Sequence, residues 1–502
     1  MKRSFKEKFA DFYRWLRHPG DSLSERVVHG GVWVFLLKIV NRGFGLIRTV
    51  ILARLLAPND FGLFGIATLA IAALQRFSRT GFDASIIQNK EDTRSYLNPA
   101  WTVKALRGLI LATVLALGAP LVGAFFEEPR AVILVRVLGA SVLLGATKNI
   151  GIIYFRKELE FHKQFAYRLS GTSADLAVAI PAAFILRSVW ALIFGLLAGN
   201  FVRLVMSYYI HPYRPAFDFD LEKIKEMFDF GRWILGTSIV VFIATKGDDV
   251  FLGKILGATA LGFYRLAFTI ANTVATEITH VISRVTFPAY SKLQDDLASL
   301  KSAFMRTMSL TTALSVPLAV GIFLLIPDFT RIFLGGKWLP IVDPVKVLVI
   351  AAAIRSIAAI WGPLYQASGM PNLDFWQNIW RVIFTFIPIY FLARLSGITG
   401  VSVAVLLGIL AALIYDFYYV ERLCELDLSS REVLKALALP LAGSVPFIVF
   451  TLLFKNFLSL NLLHFILIVV VDIILYGIST YGLQLVTDFS LIRDVRELIE
   501  KI

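Results

Sequence analysis

Long apolar runs separated by short polar breaks recur along this chain from residue 28 to residue 486. A helix rises about 1.5 Å per residue, so a run of about 20 residues crosses the roughly 30 Å of a bilayer's hydrocarbon core. The pattern predicts about fourteen such helices: 28–56, 61–81, 99–126, 131–154, 165–186, 189–210, 230–256, 261–288, 303–326, 342–367, 374–395, 398–420, 433–455 and 461–486. The chain thus reads as an all-α polytopic membrane protein.

One stretch occurs twice. VILARLLAPNDFGLFGIA from Val50 and VFLGKILGATALGFYRLA from Val250 align without a gap at an offset of 200 residues. Val50, Leu52, Leu56, Gly62 and Ala67 meet Val250, Leu252, Leu256, Gly262 and Ala267, and upstream Gly31 and Trp33 meet Gly231 and Trp233. Six spans separate equivalent points, and six is even, so both copies share one orientation in the membrane. The expectation is two six-helix lobes related by a pseudo-twofold axis along the membrane normal, plus two C-terminal helices. The corresponding segments are a basic amphipathic N-terminus (1–26), an N-lobe (27–213), a C-lobe (214–425) and a final pair of helices with its tail (426–502).

Composition agrees with the pattern: 57% of the 502 residues are hydrophobic and the mean hydropathy is +0.72. The net charge of +14 would suggest nucleic acid in a soluble protein. Here it follows from basic cytoplasmic loops, and no nucleic-acid partner is expected. Lys and Arg gather in the N-terminus, after the second, fourth, sixth, eighth and twelfth spans, and in the tail; the loop after the tenth is nearly neutral. Both termini are therefore expected in the cytoplasm of a multi-pass plasma (inner) membrane protein. Met1 to Arg26 lacks the apolar region and cleavage site of a signal peptide, so the first span is expected to direct insertion. Phe5, Phe9, Phe12 and Leu16 fall at helical spacing among basic residues, the pattern of a helix lying on the inner leaflet or of a solvated tail. A single cysteine, Cys424, and six scattered histidines give no disulfide and no metal-ligand spacing. No cofactor is expected.

Charges inside spans cost about 2.5–3.5 kcal/mol each at the bilayer centre, so they point to function or pairing. The first span carries Lys38, Arg42, Arg48 and Arg54, of which Arg54 sits near the outer end. Lys38, Arg42, Gly45 and Thr49 share a helical stripe. Arg48 lies to one side of it, and Gly43 and Gly45 permit a bend that brings it round. Arg42 and Arg48 stand about 9 Å apart along the axis, a spacing that suits two anionic groups, or one diphosphate bearing a sugar. In the second copy the offset sets Arg48 against Asp248 and Thr49 against Asp249. Two arrangements follow: a contact between lobes that makes and breaks during transport, or local pairs of Lys246 with Asp249 or Asp248. Glu277, mid-span among Ala, Thr and Ile, is a candidate for ion coupling or a neutral hydrogen-bonded acid. Asp83, Lys104, Arg107, Asp175, Arg265, Arg284, Arg355, Arg381, Asp416 and Asp472 read mostly as structural or interfacial. Gly195-x-x-x-Gly199 is a pattern that lets helices approach closely.

RLLAPNDFGLFGIA followed by TGFDASIIQ, and later Gly336-Lys337-Trp338 and Gly369-x-Pro371, resemble the polysaccharide transporter flippases, in the superfamily that also holds multidrug extruders and the lipid II flippase. Arg42-x-x-Gly45-x-x-Arg48 is similar to the first-span pattern of the lipid II flippase, whose arginines line a cationic cavity. An acidic residue follows the second Arg there, and Thr49 stands in its place here. The resemblance implies two six-helix lobes, two extra helices that guide a lipid tail, and alternating access. Taken with the charges inside the spans, it points to a flippase for undecaprenyl-diphosphate-linked oligosaccharide, with Lys38, Arg42 and Arg48 expected on the diphosphate; the charges themselves make Lys246, Asp248, Asp249 and Glu277 the candidates for gating or ion coupling. Membrane lipid and other polysaccharide-assembly proteins would be its surroundings. An exporter of cationic drugs would instead need an acidic cavity. A membrane enzyme of polysaccharide assembly would need a large outer loop, and a membrane scaffold would leave the charged first span without a purpose. The sequence has no Walker-type phosphate loop, so the driving force is expected from the membrane potential or an ion gradient.

Overall fold

The computed structural model describes residues 23–78, 82, 94–158, 160–423, 430–455 and 461–486. Most of the described residues are helical, and the described part of each of the fourteen predicted spans falls largely on helix, with the fourth and tenth interrupted. The chain divides into two compact units, Met1–Phe242 and Ile243–Ile502. The N-terminal segment read as a surface helix, Phe5 to Leu16, lies outside the described residues.

The first unit begins with α1 (Leu23–Leu55), α2 (Pro58–Phe77), α3 (Arg94–Phe125) and α4 (Arg130–Ala146). After a 3-10 turn (Ile150–Ile153) and a short helical turn (Tyr154–Lys157) come α5 (Phe161–Leu186) and α6 (Trp190–Ile210). α1 packs on α5, α5 on α6, α3 on α4, and α2 on α4. α7 (Leu221–Ile255) carries the boundary between the units. The second unit continues with α8 (Gly257–Leu293), α9 (Leu297–Phe329), α10 (Val342–Ala358), α11 (Trp361–Ala367) and α12 (Pro371–Leu423). It ends with α13 (Ser430–Phe454), which packs on α9, and α14 (Leu462–Val486), which packs on α13.

The repeat is visible at its joints. α1 ends at Leu55 and α7 at Ile255, the same offset as the sequence match. Leu52 and Ala67 are fully buried in the first unit, as are Leu252 and Ala267 in the second. The two turns are made differently. Pro58 opens α2, where a missing N–H costs nothing. Asp60 then accepts the Ala57 N–H at 2.9 Å with one oxygen and the Val189 N–H at 3.0 Å with the other, tying this turn to the α5–α6 turn. The second copy has no such acid, and Gly257 turns the chain with φ +81°.

Breaks within spans have local causes. The fourth span ends at Ala146 rather than 154 because Asn149 turns the chain: its Oδ1 accepts the Gly151 N–H at 2.9 Å. The tenth span divides at Ala359–Ile360. Pro363 lies four residues beyond Ala359, and a proline ring clashes with that carbonyl and removes the bond it would accept. The eleventh and twelfth spans form one assigned helix of 53 residues, interrupted at Ser396 and at Gly397, whose φ is +60°. At ~1.5 Å per residue that length is about twice a hydrocarbon core, so the break separates two crossings.

Among the described residues, nine helices are long and apolar enough to cross a membrane by length and composition. Leu117, Leu121, Ile185, Leu395 and Leu463 are each more than three-quarters exposed. That is costly in water and neutral against lipid tails, which are as apolar as leucine. Several charges read as structural or interfacial are tied in this way. Arg107 donates to Ser78 Oγ and the Gln75 carbonyl. Asp416 accepts from Tyr365 Oη at 2.8 Å and Gln377 Nε2 at 2.5 Å. Asp472 accepts from Thr451 Oγ1 at 2.8 Å, joining α13 to α14.

Residues 211–220, after α6, dock along the first unit. Asn149 Nδ2 donates to the Tyr213 carbonyl at 2.5 Å, and the Asp218 N–H donates to Thr102 Oγ1 at 2.8 Å. The Tyr213 N–H donates to His211 Nδ1 at 3.2 Å, which requires that nitrogen unprotonated. Burial, with Lys163 nearby, pulls the His211 imidazole below the usual histidine range. The native state therefore holds this proton less firmly than the unfolded chain. The docking is intact above about pH 6.5, the ordinary histidine value, and weakens as pH falls below it. Hydrogen exchange of residues 213–220, corrected for intrinsic rates, should be faster at pH 5.0 than at pH 7.5; equal protection contradicts this.

Candidate functional site

In the first unit, the guanidinium of Arg48 on α1 meets the carboxylate of Asp175 on α5 through a hydrogen bond, Nη2–Oδ1 3.2 Å, and a close ionic contact, Nε–Oδ2 2.8 Å. Both side chains are about one-fifth exposed. Elsewhere on the same two helices, Thr172 Oγ1 donates to Asn41 Oδ1 at 2.9 Å. A third helix closes this polar strip because glycines let it approach. A Cβ on Gly195 of α6 would lie 2.5 Å from Asp175 Oδ1, and one on Gly199 would lie 2.7 Å from the Gly171 carbonyl. Arg203 of α6 lies across Gly171, where a Cβ would meet its Nε at 2.1 Å. The charges of Arg48 and Arg203 both fall on Asp175. Lys148, after α4, donates to Asn200 Oδ1 at 3.5 Å.

Lys38 and Arg42 are half-buried on α1, which runs as one assigned helix through Gly43 and Gly45. The first unit thus brings Arg48 and Arg203, on two of its spanning helices, to one carboxylate. Such a site favours anions: guanidinium groups desolvated in a low-dielectric wall hold phosphate or carboxylate by paired, charge-assisted bonds.

The second unit holds a cavity of about 310 Å³. Lys246 and Asp248 on α7, Asn272 on α8, Arg355 on α10 and Arg381 on α12 contribute its polar wall. Lys246 Nζ pairs with Asp249 Oδ2 at 3.0 Å, one turn along the same helix. Asp248 Oδ2 accepts from Tyr264 Oη at 2.6 Å and its Oδ1 accepts the Asp249 N–H at 2.9 Å. Arg381 donates to the Ala244 carbonyl at 3.1 Å, and Arg355 donates to Asn272 Oδ1. Arg48, Asp249 and Asp248 therefore each have a partner within their own unit, in Asp175, Lys246 and Tyr264 respectively. Glu277 lies on α8, with its side chain outside the described residues. Among the described residues, no group of three His, Cys, Asp or Glu is placed to hold a metal ion.

Spanning helices that keep charged clusters inside, in two compact units, define a multi-span helical membrane protein. Residues 51–343 match the family described as Polysaccharide biosynthesis protein, and the chain belongs to that family. It is 27% identical over 431 residues to the lipopolysaccharide biosynthesis protein WzxC of Escherichia coli (strain K12), covering 85% of this chain and 87% of that one. It is 23% identical over 354 residues to the succinoglycan biosynthesis transport protein ExoT of Rhizobium meliloti (strain 1021), covering 70% and 72%. The solved structure of the lipid II flippase MurJ in an inward closed conformation superposes with a TM-score of 0.71 at 15% identity, over 90% of this chain and 99% of that one. The likeness shows a shared helical fold.

Proposed function

We propose that this chain is a flippase that moves undecaprenyl-diphosphate-linked oligosaccharide from the inner to the outer leaflet by alternating access. The observation that carries this reading is the basic cluster on the first unit's spanning helices, with the Arg48 fork held by Asp175. Arg48, Arg42 and Lys38 bind the diphosphate. Its two phosphoryl groups compete with Asp175 for the Arg48 fork, so the ion pair opens when substrate enters and re-forms when it leaves. The lipid tail stays in the bilayer while the lobes rock about the head group. Lys246, Asp248, Asp249 and Glu277 serve gating or ion coupling in the second unit. A cationic-drug exporter would need acids where this site has arginines. The protein is not an enzyme in this reading; it works in the inner membrane with both termini in the cytoplasm, beside other polysaccharide-assembly proteins.

The family and the relatives named for polysaccharide biosynthesis and transport support the same cargo class. The test is reconstitution. Purified protein in liposomes carrying an undecaprenyl-diphosphate-linked disaccharide should make the inner-leaflet pool available to an outer-leaflet glycosidase at a rate well above empty liposomes. No excess over empty liposomes contradicts the proposal.

A further inference from the structure

The cavity of the second unit has features that binding of the diphosphate does not use. Arg355 and Arg381 each carry five N–H donors, yet they donate to uncharged oxygens, the Asn272 carboxamide and the Ala244 carbonyl. A guanidinium taken out of water without a counter-charge is costly. Among the described residues, Asp248 is the one acid in the cavity lining, and both its oxygens are already engaged, by Tyr264 and by its own helix. Asp374 lies two turns before Arg381 on α12, outside the lining. Lys246, Arg355 and Arg381 in the lining face one lining acid, Asp248, while Asp249 and Asp374 reach them from outside it. The wall itself thus carries three basic side chains against one acid, which suits a single carboxylate better than a diphosphate.

The remaining wall is shaped for a ring. Phe268 lies under the Arg355 guanidinium, 5.5 Å from ring centre to carbon, and Phe386 packs its ring edge on Gly247, where a Cβ would lie 2.4 Å away. Apolar faces beside a few polar groups are the composition of small-ligand sites, and about 310 Å³ is at the lower end of their roughly 300–1,000 Å³ range. We infer that this cavity is a recognition site for an acidic sugar, with its carboxylate on Arg355 and Arg381 and its ring against Phe268 and Phe386. This rests on the flippase reading for its biological setting: the second unit would read a charged residue of the glycan while the first unit holds the diphosphate.

The test uses the full chain in lipid nanodiscs and four probes. Two are undecaprenyl-diphosphate disaccharides ending in glucuronate or in glucose; two are free methyl glucuronide and methyl glucoside. The wild type should bind the acidic lipid-linked probe about tenfold or more tightly than the neutral one, the range of one charged hydrogen bond. Arg355→Gln should bring that ratio close to one and leave affinity for the neutral probe unchanged. Arg355→Lys, which keeps the charge and loses the fork, should fall between. Equal affinities for acidic and neutral lipid-linked probes in the wild type overturn the inference and leave the flippase reading standing. So does an equal loss for both probes in Arg355→Gln. Preference for free methyl glucuronide over methyl glucoside, with neither lipid-linked probe bound, supports the acidic-sugar site and counts against the flippase reading. Binding of no probe overturns both.

Discussion

Arg48→Ala should lower the initial rate of lipid-linked oligosaccharide transfer by about a hundredfold or more. The side chain makes one hydrogen bond and one close ionic contact with Asp175 in the resting protein, and on the proposed cycle two of its nitrogens donate to a phosphoryl group. Hydrogen bonds to charged groups contribute about 1.5–3 kcal/mol each, so losing two costs about 3–6 kcal/mol, at least two powers of ten. Removal also leaves the Asp175 carboxylate half-buried without its counter-charge, which destabilises the first unit. Arg48→Lys should retain part of the rate, because a point charge attracts phosphate but cannot match its geometry in a paired fashion. The measurement is transfer in proteoliposomes with equal amounts of folded protein. A rate within twofold of wild type for Arg48→Ala removes this residue from the site.

Gly195→Leu should have the largest effect on stability. A Cβ at this position would stand 2.5 Å from Asp175 Oδ1 and 2.6 Å from Ala179 Cβ, closer than carbon atoms approach. The larger side chain must push α6 off α5. Overpacking of this kind costs about 1–3 kcal/mol or more, and here it also displaces the acid that holds Arg48. The melting temperature of the purified protein should fall by roughly 5 °C, with loss of transfer. Gly43→Ala is the contrast. No heavy atom lies within 4 Å of its Cβ position, and alanine is the better helix former by about 0.5–1 kcal/mol, so its melting temperature should hold or rise. Equal effects from the two substitutions would show that helix propensity, not the α5–α6 approach, sets the stability here.

Much of this architecture is legible in the amino-acid sequence because a membrane punishes exceptions. A charge in an apolar run is conspicuous, which is why Arg42, Arg48, Asp248 and Asp249 stand out from the order of residues alone. The joints at Leu55 and Ile255 follow from the repeat, since two copies of one hairpin must turn at equivalent places. The glycines at 195 and 199 mark a close approach because nothing else explains two small residues one turn apart on an apolar helix.

Pairing across sequence distance is the hidden part. Asp175 reads as one buried charge among several, and nothing in its neighbours says that its partner lies 127 residues earlier on α1. Arg203 and Lys148 look like ordinary basic residues near span ends. Tyr264 and Asn272 carry no charge and pass as filling in α8, though Tyr264 follows Asp248 by 16 residues across a helical hairpin, a separation that allows contact. The interruption before Pro363 is masked because Trp361, Gly362 and Leu364 keep the run apolar while the proline breaks it. Local patterns report the helices and the costs. The third dimension says which costs are shared between two residues.

On the proposed cycle, anion-binding arginines on the first unit carry a diphosphate-linked glycan across the bilayer. The initial rate of leaflet transfer of the undecaprenyl-diphosphate-linked disaccharide, compared between wild type and the Arg42→Ala, Arg48→Ala double variant, tests it most directly. Rapid transfer is expected from the wild type, and a rate near that of empty liposomes from the folded double variant. Transfer by the double variant at the wild-type rate would contradict it.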